Sequence, residues 1–324
     1  MSQWKWIDTL TRQFELCKAA NDRDVVVVAT TDTARDIVDT ALIALQRTGA
    51  RGSLLTVQSA DLPASARAAL VAADLIIDCT DLNLDAPAET HVLTIGVREA
   101  AGIERHVPHP GLRNRVEGGL VLLRNGSDVK LTSSGGSNLT MTLNGSEFAG
   151  SFGYPHPGRP HDSWPGGFVD VMPSVEDAAG QIVLMPGDVN VTLEEFIHSP
   201  VTLEVEAGRI REITGESGDA DLLRAYLESF ETPEAYRMSR VRLGLNSSLG
   251  SEDPFDRSQL TAGESTLRAG QLSLSFGEAE AGEPLFTVGL RTATLAIGSV
   301  TPLQNGQLRG ELAPDVYETA AKQR

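Results

Sequence analysis

Four short apolar runs, separated by amphipathic segments, occupy the first hundred residues of the chain. The runs cover residues 25–30, 53–57, 75–80 and 92–96, and the first is apolar at successive positions, as in a strand buried on both faces. Apolar residues at helical spacing predict helices over residues 1–20, from Asp32 to Thr48 and over 64–72. Asp32 is expected to cap the second helix and Gly49 to end it. This alternation predicts an α/β domain whose parallel sheet is flanked by helices.

The pattern changes to short alternating strands after residue 119. Strands are predicted at 120–124, 129–133, 138–143, 182–184, 201–206, 209–214, 270–276, 285–290, 293–297 and 308–312, and one helix at 219–230. Asn125-Gly126 and Asn144-Gly145 are typical of hairpin turns. Pro108, Pro110 and Gly111 mark a boundary. We therefore predict an α/β N-terminal domain, residues 1–112, and a β-rich α+β C-terminal domain, residues 113–324.

Composition and charge narrow the class of protein. With 324 residues, of which 41% are hydrophobic and 22% charged, the chain is large enough for two globular cores. The net charge of -17 predicts that neither nucleic acid nor an anionic membrane is a partner, because both would be repelled. No membrane-length apolar run or signal-peptide core is found, which predicts a cytoplasmic protein. Cys17 and Cys79 are expected to be buried free thiols.

Several linked motifs carry a family resemblance. The first is the segment from Trp164 to Pro173, W-P-G-G-F-V-D-V-M-P, followed by E-D-x-x-G at Glu176–Gly180. Further along come G-x-I-x-x-I-x-G from Gly208, the turn Pro233–Tyr236 and L-G-x-N from Leu243. Over roughly 150–313, and more loosely in the N-terminal half, the chain resembles the M29 aminopeptidase T metallopeptidases and the 2,5-dihydroxypyridine 5,6-dioxygenases. The resemblance implies an aminopeptidase T-like fold and a homodimer.

The resemblance also implies metal sites that this chain does not reproduce. For the peptidase branch the resemblance implies a two-metal site. For the dioxygenase branch it implies a mononuclear non-haem iron site with two His and one Asp. Carried over position by position, the ligands fall on residues that bind metals poorly, namely Phe168, Arg240, Ser273, Leu285 and Thr287. No histidine follows His198 that could replace them. We therefore predict a protein without a metal or another cofactor.

Arg240 offers a different chemistry at the same place. A fixed guanidinium charge could replace the metal and hold a carboxylate or carbonyl through bidentate hydrogen bonds, with Arg242 and Arg291 assisting. The alternative is that these arginines only form ion pairs with some of the 44 acidic residues. Both interpretations stay open at this point.

A loop rich in proline and glycine precedes the Trp164 motif and is the second candidate site. It carries Tyr154, His156, His161 and Trp164, and such loops on rigid scaffolds often bind ligands. His156, His161 and Asp162 could form an unrelated metal site. An extended wall with exposed histidines explains the same residues.

Two functions follow from these observations. The first is a metal-free, non-catalytic binding protein that holds a peptide or small carboxylated molecule in the cleft between its domains, as an accessory protein in a peptide-modifying pathway. The alternative is an enzyme, either a hydrolase or ring-opening enzyme or a metal enzyme with relocated ligands, acting on a small molecule or peptide. We take the first as the leading prediction because the expected metal ligands are missing.

Overall fold

The computed structural model describes residues 3–80, 82, 84–98, 100–174, 177–249, 262–278 and 284–314. Glu176 of the E-D-x-x-G motif lies outside the described residues. Up to residue 164 the elements are α1 (Gln3–Leu16), β1 (Asp24–Ala29), α2 (Arg35–Thr48), β2 (Arg51–Thr56), α3 (Ala64–Ala72), β3 (Leu75–Asp78), β4 (His91–Ile95), α4 (Ala100–Ile103), α5 (Gly111–Asn125), β5 (Asp128–Ser133), β6 (Asn138–Thr142), β7 (Glu147–Ser151) and β8 (His161–Trp164).

The remaining elements are mostly strands. They are β9 (Phe168–Met172), β10 (Ala179–Leu184), β11 (Val189–Asn190), β12 (Glu195–Phe196), β13 (Val201–Glu206), β14 (Arg209–Thr214), α6 (Gly218–Glu228), β15 (Met238–Gly244), α7 (Ala262–Ser265), β16 (Leu272–Phe276), β17 (Phe286–Leu290), β18 (Ala293–Ile297), β19 (Val300–Gln304) and β20 (Gln307–Leu308). Two 3-10 helices cover Pro233–Tyr236 and Gly310–Leu312.

A parallel sheet forms the centre of the first of two compact units, which contains Met1–Pro110 and Ser151–Gly166. Its strand order is β2-β1-β3-β4-β8, and each neighbouring pair is parallel. The valines and isoleucines of β1 and β3 are buried, because side chains on both faces of these central strands pack into the core. The sequence predicts this α/β architecture, with four of its five strands.

The fifth strand, β8, replaces part of the loop predicted before Trp164. It continues the parallel sheet beside β4, with Trp164 opposite Ile95. The sequence pattern misses β8 because its residues are His-Asp-Ser-Trp, with one apolar side chain in four. Residues 151–166 therefore lie in the first unit, whereas the predicted division assigned them to the C-terminal domain.

The second unit contains Gly111–Gly150 and Gly167–Arg324 and is built around two antiparallel sheets. The eight-stranded sheet has the order β14-β13-β10-β6-β5-β18-β19-β20, and the seven-stranded sheet the order β12-β11-β17-β16-β15-β9-β7. Apolar side chains from both sheets and from α5 line one small internal cavity, including Met141, Leu295, Val171, Val241 and Leu123. The core of this unit thus lies where one face of each sheet meets helix α5.

Helix α5 corrects the strand predicted at 120–124 and the hairpin predicted at Asn125-Gly126. Its buried side chains include Leu112, Val116 and Leu123, which share one helical face. Gly119 lies on the same face, and a Cβ there would come within 3.1 Å of Val169, so the glycine lets the helix approach β9. The N–H of Gly126 bonds the Leu122 carbonyl at the end of the helix. Neighbouring apolar residues in G-G-L-V-L-L fit either period, which explains the error.

Of three predictions about smaller features, one is wrong and two are confirmed. Helix α2 begins at Arg35 with Ala34 as its N-cap and has no side-chain cap, so the capping role predicted for Asp32 is wrong. Gly49 ends the helix in the left-handed conformation, as predicted. Cys17 and Cys79 are buried free thiols, which confirms that prediction. No helix in the described part of the chain combines the length and hydrophobicity of a membrane span.

Candidate functional site

Four neighbouring strands of the seven-stranded sheet, β9, β15, β16 and β17, give that sheet two different faces. Successive residues of a strand point to opposite faces, so the V-D-V, R-V-R, S-L-S and T-V-G segments place their apolar members on the core side. The opposite side, here termed the polar face, consists of Phe168, Asp170, Arg240, Arg242, Ser273, Ser275, Thr287 and Gly289. This concentration of polar side chains on a largely buried surface makes it the candidate site.

Asp170 and Arg242 form the centre of the polar face. The two residues are register partners on β9 and β15, and Arg242 Nε and Nη2 each donate to a different Asp170 oxygen at 2.8 Å. The Asp170 side chain is 4% exposed and that of Arg242 is 19% exposed. The guanidinium carbon of Arg242 lies 3.7 Å from the centre of the Phe168 ring. Arg242 is therefore held in one orientation by a bidentate ion pair and a cation–π contact.

Arg240 is the more accessible of the two arginines on β15. Its Nε lies 3.7 Å from Asp170 Oδ2, and its side chain is 24% exposed. The structure thus brings Arg240 and Arg242 together around one carboxylate, as neighbours on the same face. The ion pairs join the arginines to a buried acid of the site, which differs from the pairing with surface acids considered as the alternative.

A row of hydroxyl groups continues the polar face beyond the arginines. Ser273 lies opposite Arg242 on one side and Gly289 on the other, and Ser275 lies opposite Thr287. The hydroxyls of Ser275 and Thr287 are hydrogen-bonded at 2.9 Å. Ser273 and Ser275 are 1% and 3% exposed. The polar face therefore places neutral hydroxyl groups next to positively charged guanidiniums.

Arg291 belongs to a different group of charges in the second unit. Its backbone N–H donates to Asp188 Oδ1 at 2.9 Å, and Asp188 Oδ2 accepts from Met185 N–H at 2.8 Å. Burial raises the pKa of Asp188, while these two hydrogen bonds and the charge of Arg291 oppose the increase. Burial and the charge of Arg291 lower the pKa of Arg268. Arg291 is thus grouped with Asp188 and Arg268, and the assisting role predicted for it beside Arg240 stays a prediction.

The four loop residues predicted as a second site lie in the first unit. Tyr154 and Trp164 are buried, and the His156 ring lies 5.3 Å from that of Phe152. Tyr154 also packs on Phe152, with ring centroids 4.8 Å apart. His161 is exposed on β8. Tyr154 and Trp164 therefore pack the core of this unit, and the ligand-binding role given to the four residues stays a prediction.

Asp162 explains why this loop has a defined shape. Its carboxylate accepts hydrogen bonds from the N–H groups of Phe152, Gly153 and Ser163, at 3.2, 3.1 and 2.9 Å. Arg159 adds a fourth contact at 3.3 Å. Asp162 is 6% exposed, so this buried charge is satisfied by the loop that it organises. The arrangement gives Asp162 a structural role in place of the metal ligation considered from the sequence.

The ligand positions carried over from the resemblance fit a metal centre poorly in the structure as well. Arg240, Ser273 and Thr287 lie on the polar face, and Phe168 lies beneath Arg242. These side chains do not supply the two imidazoles and one carboxylate of a mononuclear non-haem iron site. Across the described residues, no group of three or more His, Cys, Asp or Glu side chains could hold a metal ion. The absence of a metal cofactor nevertheless stays a prediction.

Sequence reasoning identified the arginines but missed Asp170, Ser275 and the polar face itself. The signal was available in the alternation of V-D-V, R-V-R and S-L-S over three separate segments. Each segment has a polar residue at every second position inside a strand pattern. Only the register of the strands shows that these polar positions share one face.

The chain is similar to known proteins in sequence and in fold. A family model described as 2,5-dihydroxypyridine 5,6-dioxygenase matches residues 5–289. The 2,5-dihydroxypyridine 5,6-dioxygenase of Pseudomonas putida KT2440 is 32% identical over 188 residues, which cover 56% of this chain and 53% of that protein. The alignment therefore spans about half the length of this curated relative.

Two solved structures resemble the whole chain. The 2,5-dihydroxypyridine dioxygenase from Pseudomonas putida KT2440 matches with a TM-score of 0.82 and 22% identity, over 97% of this chain and 100% of the other. AmpT from Thermus thermophilus matches with a TM-score of 0.57 and 14% identity, over 94% and 99%. At these identities the structures show the fold, and they confirm the predicted aminopeptidase T-like architecture.

These matches correct the leading functional prediction. The matched family and the curated relative are both described as dioxygenases, so a non-catalytic binding protein is the wrong reading and the enzyme alternative is favoured. Nothing in the matches tests the predicted homodimer, the peptide or carboxylated ligand, or the exclusion of nucleic acid and membranes. Those expectations, and the cytoplasmic location, stay predictions.

Proposed function

The chain belongs to the 2,5-dihydroxypyridine 5,6-dioxygenase family, and from this membership we propose that it is a ring-opening enzyme acting on a hydroxylated N-heteroaromatic compound. The observation that carries the proposal is the extent of the family match, residues 5–289, which includes every residue of the polar face. A small planar substrate suits a surface made of two arginines and a row of hydroxyls.

The polar face supplies the groups that such a substrate needs. A hydroxylated pyridine presents an oxyanion or ring carbonyl, and a guanidinium binds such oxygens with paired N–H donors. Arg240 has the exposure to make this contact, with 24% of its side chain accessible. Asp170 keeps Arg240 and Arg242 close together at the place where the oxygen binds. In this proposal Arg240 binds the substrate oxygen and Asp170 positions the arginine.

Arg242 has a different role in the same proposal. Its guanidinium plane is fixed over Phe168 and hydrogen-bonded to Asp170, so its rotation is already restricted before substrate binds. A planar cation of this kind stacks well on an aromatic ring. Arg242 therefore orients the ring while Arg240 holds the oxygen. Because the side chains do not match an iron centre, the proposed roles concern substrate binding by the chain's own residues.

The test is a direct assay with 2,5-dihydroxypyridine. Purified protein is incubated with this compound with and without added ferrous ion, and oxygen uptake and the loss of ring absorbance are recorded together. The proposal expects binding in calorimetry and a loss of ring absorbance matched by oxygen uptake. Absence of binding and turnover with 2,5-dihydroxypyridine and its dihydroxy isomers would overturn it. Heat-denatured protein with the same ferrous ion controls for the metal-catalysed background.

A further inference from the structure

Ser273 occupies an unusual position on the polar face. It is 1% exposed, and its Oγ has no hydrogen-bond partner among the described residues. The next serine on the same strand and face, Ser275, is equally buried but is hydrogen-bonded to Thr287 at 2.9 Å. Two similarly buried serines on one face of β16 therefore differ in whether the hydroxyl group has a hydrogen-bond partner.

An unsatisfied buried hydroxyl lowers stability, because it has lost its water without gaining a partner. Exceptions to the pairing of buried polar groups therefore call for an explanation. Ser273 lies in register between Arg242 and Gly289, at the centre of the proposed substrate site. A substrate atom at this position would supply the missing hydrogen bond. The location of Ser273 in the proposed site and the missing partner of its hydroxyl both indicate a contact with substrate.

The position opposite Ser273 on β17 is held by a glycine. Gly289 has no side chain, and a Cβ built there would lie 3.8 Å from Ser273 Oγ and 2.6 Å from Gln271 Nε2. The neighbour closest to that space is thus the end of a flexible amide side chain, which donates one hydrogen bond of 3.3 Å to the Leu272 carbonyl. Gln271 is 6% exposed and occupies the position above Gly289, so substrate binding at Ser273 would require this amide to change its rotamer.

We propose that Ser273 is a specificity-determining residue whose Oγ hydrogen-bonds a ring oxygen or nitrogen of the substrate. This inference rests on the proposed function and deepens it by assigning the contact that distinguishes a dihydroxylated ring from a monohydroxylated one. A site built to bond a substrate hydroxyl rejects an analogue that lacks it, because the protein group then stays unpaired. Ser273 provides that discrimination next to the arginines.

The first arm of the test compares stability without ligand. Ser273→Ala removes a hydroxyl that bonds nothing among the described residues, so its melting temperature should equal or exceed that of the wild type. Ser275→Ala removes one member of a hydrogen-bonded pair and leaves Thr287 Oγ1 without it, so its melting temperature should fall. Equal losses in the two variants would show that the Ser273 hydroxyl is structural and would overturn the inference.

The second arm measures binding by calorimetry to 2,5-dihydroxypyridine, 2-hydroxypyridine and 3-hydroxypyridine. Ser273→Ala should bind 2,5-dihydroxypyridine about tenfold more weakly than the wild type and should bind one monohydroxy compound with unchanged affinity. Ser239→Ala is the matched control: its Oγ also lacks a partner among the described residues, but it lies at the register shift of β15, outside the polar face. Its affinities should not change.

A second substitution keeps the inference testable without touching the serine. Gly289→Ala meets only the flexible Gln271 amide at close range, so it should fold, yet its methyl group would fill the space beside Ser273. We expect it to weaken 2,5-dihydroxypyridine binding. Wild-type affinity in both Ser273→Ala and Gly289→Ala would overturn the inference alone. Absence of binding by the wild type itself would instead overturn the proposed function, and the inference with it.

Discussion

Asp170 and Arg242 face each other across strands β9 and β15 and are joined by two hydrogen bonds of 2.8 Å. The same carboxylate lies 3.7 Å from Arg240 Nε. A single buried acid thus forms ion pairs with both guanidiniums of the polar face. Removing the charge of Asp170 should therefore lower the stability of the protein more than removing an ordinary surface charge.

We expect Asp170→Asn to lower the free energy of unfolding by about 3 kcal/mol, because it leaves two partly buried guanidiniums without their shared anion. Urea denaturation measures this change. The control is Asp61→Asn, which breaks an ion pair with Arg67 whose side chains are 93% and 62% exposed. That substitution should lower the free energy of unfolding by less than about 1 kcal/mol. Equal losses in the two variants would contradict the central role of Asp170.

Arg240→Gln should weaken the binding of 2,5-dihydroxypyridine at least about tenfold, because an amide cannot replace a charged pair of N–H donors on an oxyanion. Calorimetry measures the affinity, and the melting temperature shows whether the fold is intact. Arg237→Gln serves as the control, since Arg237 precedes β15 and bonds Glu234 and Glu278 instead of Asp170. Unchanged binding by Arg240→Gln would exclude Arg240 from the site.

Asp162→Ala should release the loop before β8, because three backbone N–H groups and Arg159 lose their common acceptor. We expect faster hydrogen exchange over residues 151–163 and a loss of about 3 kcal/mol in unfolding free energy. Hydrogen exchange in the five-stranded sheet away from β8 should change less. Uniformly faster exchange over the whole first unit would indicate general destabilisation in place of a local effect.

Asp78→Asn should stabilise the protein near neutral pH. Burial raises the pKa of Asp78 above its usual 3.8, so the folded state holds this proton more tightly than the unfolded chain. The stability that protonation contributes is complete below pH 3.8 and is lost as pH rises through the raised pKa. Asparagine keeps the contacts with Thr80 without the charge, because Oδ1 accepts both of them. Its advantage over the wild type should vanish as pH falls below about 4.

Asp24→Asn is the control, because its expected effect on stability near neutral pH has the opposite sign. The hydrogen bond from Arg51 lowers the pKa of Asp24, so its contribution is present above the usual value and is lost as pH falls through the lowered pKa. This variant should be less stable than the wild type at pH 7 and equal to it in strong acid. Thermal melts of both variants from pH 8 down into strong acid make the comparison. Parallel pH profiles would contradict the assignment for Asp78.

The sequence predicts the elements of this protein better than it predicts their partners. Val201–Glu206, Arg209–Thr214 and Ala293–Ile297 have the predicted bounds because their alternation is regular. The sequence pattern does not predict β8, because the place of this strand in the sheet depends on the hydrogen bonds of Asp162 and on pairing with β4. The pairing with β4 is long-range, and no local pattern encodes it.

The candidate site shows the same division between local and long-range information. Arg240 and Arg242 were identifiable as unusual charges within a strand pattern. Their grouping around Asp170 requires the pairing of β15 with β9, whose residues lie far apart in the chain. The unsatisfied Oγ of Ser273 is an atomic property that appears only when its surroundings are known.

The path of the chain between its two units has a consequence for biosynthesis. The first unit contains Met1–Pro110 and then, after forty residues that belong to the other unit, Ser151–Gly166. A nascent chain that has emerged only as far as Pro110 therefore exposes the outer backbone groups of β4, an open edge that can template aggregation. The edge closes when β8 leaves the ribosome. Emergence of the chain through Trp164 is thus the earliest point at which this sheet can be complete, and truncation before β8 removes a strand from the first unit.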